Sequence, residues 1–482
     1  MVRRPRVPPA LVVAVLSACV VAAWAASASP AAPRSEPTCK PERYLVRSGD
    51  TLTSIALRFQ TTVDALARAN SMDPNGILYA GASLVIPRAA CGVTFTAKPA
   101  VAGGAERQLV TSLRQAIAVP GVSRARTGVV VVDLDANRVM YAANRELSLE
   151  PASTAKLPVA MTALQRLGGA FRIRTAVLGQ GSLLGGIWRG DLVLKGYGDP
   201  MLTTADLNAL ARAVRARGIT AVSGAVVGDE SYFDELRTCP GWKPSFARNE
   251  SPLLSALVVN RGLLDGAVAE SPALAAAVLF TRALQQAGVT VAGRPMQGVA
   301  ARGAVLVARR ASRPLTKLLA RMDTWSDNFI AEMLLKQLGA RVSGRGSTAA
   351  GAATVGETMW ADGVPLTGVL IADGSGLSTL NRLTARSLAA MLQTVWHEPK
   401  LRPLLDTFAV AGSTGTLRRR LLSVPGHELV RGKTGTTDQS SALAGFVGSR
   451  FAFAILNNGS PVNWSAAHTL QDRVVTALLA AV

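Results

Sequence analysis

Ser153 and Lys156 stand three residues apart in Pro151-Ala152-Ser153-Thr154-Ala155-Lys156-Leu157, a stretch that runs into a helix-like pattern as far as Leu167. Residues i and i+3 share a helix face, so the lysine amine can reach the serine hydroxyl. A serine hydroxyl is a weak nucleophile until a neighbouring base takes its proton, and a desolvated lysine with a lowered pKa can be that base. The helix N-terminus adds backbone N–H groups and the positive end of a dipole, both favourable to a developing oxyanion. Two more clusters follow. Ser326-Asp327-Asn328 opens a helical segment through Phe329, Met333 and Leu334, and Lys433-Thr434-Gly435-Thr436 precedes an apolar strand over 442–447 that pairs with 451–456. The three histidines, His397, His427 and His468, lie late and have no zinc-ligand spacing, which argues against a zinc hydrolase and against a Ser-His-Asp triad. What these residue types offer together is acyl transfer through a serine, with lysine as the base.

The elements that must hold them are legible in outline. A Val-rich strand over 128–134, a turn at Asp135-Ala136-Asn137 and a return strand over 138–142 predict a hairpin just before Ser153. The chain has 482 residues, enough for about three domains. Its 49% hydrophobic and 17% charged residues exclude a disordered chain. Lys plus Arg number 52 against 31 Asp plus Glu, a net charge of +21 that suits an anionic partner: nucleic acid, acidic lipid or an acidic wall polymer. Only nine of the 52 are lysines, and two of those fall in the clusters above.

The N-terminus has the form of an export signal: Arg3, Arg4 and Arg6, an apolar run from Ala10 to Ala25, then Ala26-Ser27-Ala28 as a cleavage pattern. Cys19, after Leu16-Ser17-Ala18, also fits a lipoprotein box, and an uncleaved anchor is a third possibility. In an oxidising compartment Cys39 and Cys91 are expected to form a disulfide around a compact segment, and its loop of about 50 residues would contribute roughly 4 kcal/mol. That segment reads strand, helix, helix, strand: Tyr44-Leu45-Val46, then Leu52, Ile55, Ala56 and Phe59, then Val63, Leu66, Ala67 and Asn70, then Ser83 to Pro87. Gly92 to Gln108, with Pro99 and Gly103-Gly104, has the composition of a linker.

The segment over 39–91 resembles a LysM module across about 45 residues. That resemblance implies binding of N-acetylglucosamine-containing glycan between a loop at Gly49, Asp50, Thr51 and Leu52 and another at Asn75, Ile77 and Leu78. S-x-x-K, S-D-N and K-T-G in that order are shared by penicillin-binding proteins and serine β-lactamases. From about Ala105 onward the chain resembles D-alanyl-D-alanine carboxypeptidases and endopeptidases of the penicillin-binding-protein-4 type. Beyond the three motifs, the likeness rests on Gly196-Tyr-Gly-Asp-Pro200, Gly228-Asp-Glu-Ser-Tyr-Phe233, Pro240-Gly-Trp242, Asp373-Gly-Ser-Gly-Leu-Ser378 and Ala411-Gly-Ser-Thr-Gly-Thr-Leu417. It implies an α/β (α+β) fold of the β-lactamase/transpeptidase type, an antiparallel sheet with helices on both faces. The core is expected over 109–176 and 306–482, with an inserted domain over 177–305 that accounts for the 173 residues between Ser153 and Ser326.

The same resemblance implies roles. Ser153 attacks the carbonyl of the penultimate D-Ala and Lys156 takes its proton, while Ser326 relays a proton to the leaving amine. Lys433 holds the positive field and helps seat the terminal carboxylate, with the hydroxyls of Thr434 and Thr436. Asn328 orients the substrate amide and Lys156, the N–H groups of Ser153 and Thr436 form the oxyanion hole, Gly435 belongs to the substrate-binding set, and Asp229 meets a basic group on the stem peptide. No cofactor or metal is implied; the partners are peptidoglycan and β-lactams, with no nucleic acid, and the location is exported, periplasm or wall. One departure is plain: many members carry Arg directly after G-S-G-L-S, where this chain has Thr379, with Arg382 three residues on. A serine β-lactamase is the rival enzyme, but no E-x-x-L-N pattern is present to supply its deacylating Glu. A wall-binding protein with a silent core is the alternative outside enzymes.

Overall fold

A computed structural model describes residues 42–46, 52, 55, 56, 59, 63–70, 72, 78, 81–86 and 103–482, the side chains of residues 42, 64, 65, 68 and 248 apart. The signal over 1–28 with Cys19, the Cys39–Cys91 pair, residues 92–102 of the linker, and Gly49, Asp50, Thr51, Asn75 and Ile77 lie outside the described residues.

In the N-terminal module β1 (Glu42–Leu45) pairs antiparallel with β2 (Ser83–Ile86), and α1 (Val63–Ala69) packs on them. Tyr44, Val46, Leu52, Ile55, Ala56, Leu66, Leu84 and Ile86 form its small core. Asn70 joins helix to strand: its amide donates to Leu66 O and Val85 O, and its Oδ1 accepts from Val85 N. Leu52 is buried in this core and Leu78, partly buried, packs against it.

Helix α2 spans Gly104–Ala116, so the last five residues expected in the linker are helical. Gly103-Gly104 stands at a helix start, where glycine is tolerated, and Glu106 in the first turn bonds Arg138 at 2.7 Å. The chain then forms the hairpin β3 (Thr127–Asp133) and β4 (Arg138–Ala143), a short 3₁₀ turn over Ala152–Ala155, and α3 (Lys156–Leu167). It next enters a second sheet through β5 (Arg174–Leu184) and β6 (Ile187–Gly196), followed by α4 (Thr204–Ala216), β7 (Ala221–Val222), β8 (Val226–Asp229) and α5 (Pro272–Gln286). The strand carrying the return, β9 (Val305–Ala311), pairs antiparallel with β5 down its whole length. The way in and the way out are therefore neighbours. Leu192, Leu194, Leu207, Leu210, Phe280 and Leu284 fill a core of this sheet and its two helices.

Back in the first sheet's layer come α6 (Leu315–Trp325), α7 (Asn328–Val342), α8 (Thr348–Ala361), α9 (Ala385–His397), β10 (Ala409–Val410), β11 (Val430–Thr436), β12 (Ser440–Val447), β13 (Phe451–Asn458) and α10 (Trp464–Leu479). The six strands run in the order β10-β11-β12-β13-β3-β4, every pair antiparallel. Strands β3, β12 and most of β13 are buried on both faces, because helices cover each side. Val130, Val132, Ala444 and Leu456 meet α3, α6, α7 and α9 on one face; Val129, Val131, Phe453 and Ile455 meet α2 and α10 on the other. This is the expected architecture, with one local addition. Lys433 to Thr436 precede the strand β12, as expected, and are themselves the end of a further strand, β11, which pairs with it.

Candidate active site

Three corners of this architecture converge. Ser153 sits in the 3₁₀ turn that leads into α3, and Lys156 is the first residue of that helix. Its amine donates to Ser153 Oγ at 2.9 Å, to Asn328 Oδ1 at 2.7 Å and to the Ser375 carbonyl at 2.6 Å. Lys156 is 0% exposed. Burial lowers its pKa to about 8, against the opposing pull of Asp373, Glu332, Asp327 and Asp323. Near neutrality a usable fraction of the amine is thus unprotonated, as a general base requires.

Ser326, Asp327 and Asn328 form the joint between α6 and α7. Ser326 caps α6 in the left-handed region (φ 60°, ψ 38°), a conformation that costs a non-glycine residue of order 1 kcal/mol or more. Asp327 then caps α7, its Oδ1 accepting from Ile330 N, while its Oδ2 takes the Arg261 guanidinium at 2.9 Å. These bonds hold the reversal and aim Ser326 at the end of β11. There Lys433, also 0% exposed, donates to Ser326 Oγ at 2.9 Å and to its neighbour's carbonyl at Thr434. Its pKa falls well below the usual lysine range, first from burial and then from repulsion by Lys156. Two buried ammonium groups this close oppose each other's charging. The carboxylate that faces both is Asp323 on α6, fully buried, with Oδ2 bonded to Thr407 Oγ1 and Oδ1 without a partner among the described residues. Burial raises its carboxyl to about 7 despite both lysines.

The glycines of the motifs let backbone come close. A Cβ on Gly435 would lie 2.8 Å from Pro151 O and 3.1 Å from Ser153 N; one on Gly376 (φ +84°) would lie 1.9 Å from Ala152 O. Strand β11 on one flank and the 373–378 loop on the other thus press on the serine turn. Thr434 Oγ1 donates to Thr416 Oγ1 at 2.8 Å. Thr436, at the end of β11 opposite Ser441, is exposed.

A rim comes from the chain between Cys239 and Glu250. Trp242 Nε1 donates to Asp373 Oδ2 at 2.8 Å and Ser378 Oγ to Pro240 O at 2.7 Å, while Asn328 Nδ2 donates to Glu250 O at 3.0 Å. Lys243 reaches Asp438, in the turn after β11, at 2.6 Å. Arg382 does not stand in for the missing arginine at Thr379. Its Nη1 is bonded to the carbonyls of Thr379 and Asn381, which braces its own loop.

Ser153, Lys156, Ser326, Asn328, Lys433, Thr434, Gly435 and Thr436 are therefore brought together, and Asp229 is not. It is 0% exposed at the end of β8, bonded by Lys195 Nζ at 2.7 Å, Ala300 N at 2.9 Å and Ser231 N at 2.8 Å. Burial pushes its pKa up, but those bonds outweigh it and hold the carboxyl below its usual value. Those bonds brace the end of β8 within the insert sheet. Sequence reasoning missed Asp323, Glu332, Ser375 and Thr416. Asp323 and Glu332 lie three residues before Ser326 and four after Asn328, a spacing that places them on the inward faces of α6 and α7.

Comparison with known proteins agrees with this architecture. The pattern of the D-Ala-D-Ala carboxypeptidase 3 (S13) family matches residues 109–271 and 264–481, and that of the LysM domain matches 44–87. A D-alanyl-D-alanine carboxypeptidase of Actinomadura sp. (strain R39) is 29% identical, over 79% of this chain and 87% of its own. Carboxypeptidase DacB of Mycolicibacterium smegmatis is 30% identical, over 76% of this chain and 83% of its own. Among solved structures, penicillin binding protein 4 (dacB) from Haemophilus influenzae superposes with a TM-score of 0.68 at 24% identity, covering 77% of this chain and 99% of that one. With the serine turn, the α6–α7 joint and the end of β11 meeting as described, the chain belongs to the D-Ala-D-Ala carboxypeptidase 3 (S13) family and carries a LysM domain.

Proposed function

We propose that this protein is a serine-type D-alanyl-D-alanine carboxypeptidase, a DD-peptidase acting on peptidoglycan stem peptides through an acyl-enzyme on Ser153. The observation that carries the reading is the buried Lys156 amine, 2.9 Å from Ser153 Oγ, with its other bonds fixed by Asn328 and Ser375. Ser153 Oγ attacks the carbonyl of the penultimate D-Ala as Lys156 accepts its proton, and the backbone N–H groups of Ser153 and Thr436 receive the oxyanion. The proton reaches the departing amine of the terminal D-Ala through Ser326, which Lys433 holds. Water then attacks the acyl-enzyme, Lys156 takes its proton and hands it to Ser153 Oγ as the acyl bond breaks, which restores the free serine. Thr434, Thr436 and the Lys433 field seat the terminal carboxylate. Cleavage of cross-links uses the same steps with a longer leaving group.

The LysM module supplies the glycan contact, so one chain holds the sugar strand and cuts the peptide. Both ligands are extracytoplasmic, which fits the export signal; among the described residues no helix is long and apolar enough to cross a membrane. β-Lactams are covalent inhibitors on this reading. The division of the chain into core over 109–176 and 306–482 with an insert over 177–305 follows the same proposal, and the paired strands β5 and β9 support it.

Intact mass after mixing with a β-lactam, for the wild type and Ser153→Ala, tests the reading alongside D-Ala release from a peptide ending in D-Ala-D-Ala. The expected result is a lasting adduct on the wild type alone and D-Ala release that the substitution abolishes. No adduct with the drug intact identifies a wall-binding protein, and no adduct with the drug consumed identifies a β-lactamase.

A further inference from the structure

Helix α7 carries three polar side chains at intervals of four, Asn328, Glu332 and Lys336, which place them along one face. The outer two tie the helix to the insert. Asn328 Nδ2 donates to Glu250 O at 3.0 Å, and Lys336 Nζ bonds Asp234 and donates to Leu236 O at 3.1 Å. Glu332, between them, belongs to none of the three motifs and is 0% exposed.

All of its bonds are accepted ones. Oε1 takes the N–H groups of Gly374 at 3.0 Å and Ser375 at 2.7 Å, and Oε2 takes Gly374 N at 3.0 Å and the Cys239 thiol at 3.2 Å. The carbonyl of that same Ser375 receives the Lys156 amine at 2.6 Å. One helix thus supplies Asn328 Oδ1 to Lys156 directly and, one turn on, fixes the peptide unit that offers Lys156 its other acceptor. An apolar side chain at 332 would leave the Gly374 and Ser375 N–H groups buried without that acceptor, and the loop would have to move to satisfy them. Gly374 could not easily follow: a Cβ there would already lie 2.7 Å from Ala331 O, so the loop backbone rests directly on α7.

We propose that Glu332 is a positioning residue for acyl transfer: by clamping the Gly374–Ser375 backbone it fixes the carbonyl that aims the Lys156 amine at Ser153. The inference rests on the DD-peptidase reading and deepens it. The charged groups that face Lys156 are Asp373, Glu332, Asp327 and Asp323, with Lys433 opposing them; Glu332 in turn faces Lys156, Asp373 and the uncharged Cys239 thiol. Burial, with Asp373 beside it, raises the Glu332 carboxyl to about 7, so above neutrality, where it carries its charge, removing that charge moves the protonation of Lys156 in one direction, downward.

The test compares full-length wild type, E332A and E332Q for the rate of acylation by a β-lactam across pH, per molecule shown by circular dichroism to be folded. If the wild type forms no adduct, the DD-peptidase reading fails and the role of Glu332 is not what has failed. If it does, E332A acylates at least 100-fold more slowly, with the affinity of the initial complex within threefold of wild type. E332Q, whose amide oxygen still accepts the two N–H groups, stays within tenfold of wild type, and the acid limb of its profile moves to lower pH. Acylation by folded E332A within threefold of wild type overturns the proposal, whatever its melting temperature. Should E332A not fold, E332M, which fills the volume but offers the Gly374 and Ser375 N–H groups no acceptor, takes its place, and acylation by folded E332M within threefold of wild type overturns the proposal.

Discussion

Lys156 and Lys433 share one buried space, and their protonation is the quantity on which the proposed chemistry turns. With Lys156 lowered to about 8 by burial, acylation is expected to rise with pH through a midpoint near pH 8, as a smaller share of the amine carries its proton, and to level off about one pH unit above it. Pre-steady-state acylation from pH 5 to 10 measures that limb. Asp323 affects stability in the same region. Its folded-state pKa of about 7 lies above the unfolded value of about 3.8, so the native state binds more protons than the unfolded state between those limits. The stability it contributes is present below about pH 4 and is lost as pH rises through 7. D323N does not titrate, so its stability relative to wild type should improve steadily from pH 4 to 7, by up to about 4 kcal/mol, in urea unfolding at each pH. A flat difference across that range would mean Asp323 is ionised in the fold. None of this was legible in the sequence beyond the residues of the motifs. Ser153 with Lys156, and Ser326 with Asn328, are local spacings that a reader can see. The bond from Lys156 to Ser375 joins positions 219 apart, and Asp323 meets Thr407 across 84, so only the folded chain places them.

The elements were easier to foresee where periodicity was strong and harder where a break in pattern had two meanings. The hairpin of β3 and β4 and the helix after Ser153 follow from apolar spacing and a turn. Gly103-Gly104 has the look of a linker because glycine breaks helices, yet it also stands before the first turn of one, and α2 begins there. Asp229 sits in a motif shared with the family, and its motif neighbours are packing residues too: a Cβ on Gly228 would lie 2.1 Å from Ala273 O. The glycines beside Ser153 lend themselves to a test at this scale. Ala at Gly376 meets both a left-handed φ and the carbonyl of Ala152 at 1.9 Å, so the 373–378 loop must shift away from the serine turn. G376A should lose at least 2 kcal/mol of stability, at roughly the cost of backbone strain plus displacement, and most of its acylation. Ala at Gly168, also at positive φ but with nothing within 4 Å, carries the strain without the collision. G168A should therefore keep its acylation rate, and thermal unfolding with adduct kinetics on both variants separates the two effects.

At the scale of the whole molecule, the proposed function gives the chain two independent means of holding an anionic, glycan-bearing wall, its charge of +21 and its LysM domain. They differ in their response to salt. Attraction between the basic surface and the wall weakens as the Debye length falls from about 10 Å at 0.1 M to about 3 Å at 1 M, whereas hydrogen bonding and stacking in a glycan groove persist. Sedimentation of the catalytically dead Ser153→Ala protein with sacculi should fall with added sodium chloride to a residual level. A form lacking residues 1–102 should lose that residual while still releasing D-Ala from a soluble peptide. Equal binding by the two forms in high salt would assign retention to the catalytic body instead.

The free thiol of Cys239 is buried, and its pKa is raised, first by burial and then by the carboxylates of Glu332 and Asp373. Thiolate is the reactive form, so an alkylating reagent finds neither access nor a nucleophile while the rim segment rests against α7. Labelling can proceed only during excursions in which that segment lifts off. Its rate, compared with that of an unprotected cysteine, gives the free energy of those excursions without unfolding the protein. A ligand that spans the rim and the serine turn stabilises the closed form in proportion to its affinity, and slows the labelling accordingly. The molecule thus carries an internal reporter of how often the rim segment lifts from α7, read by mass at a single residue.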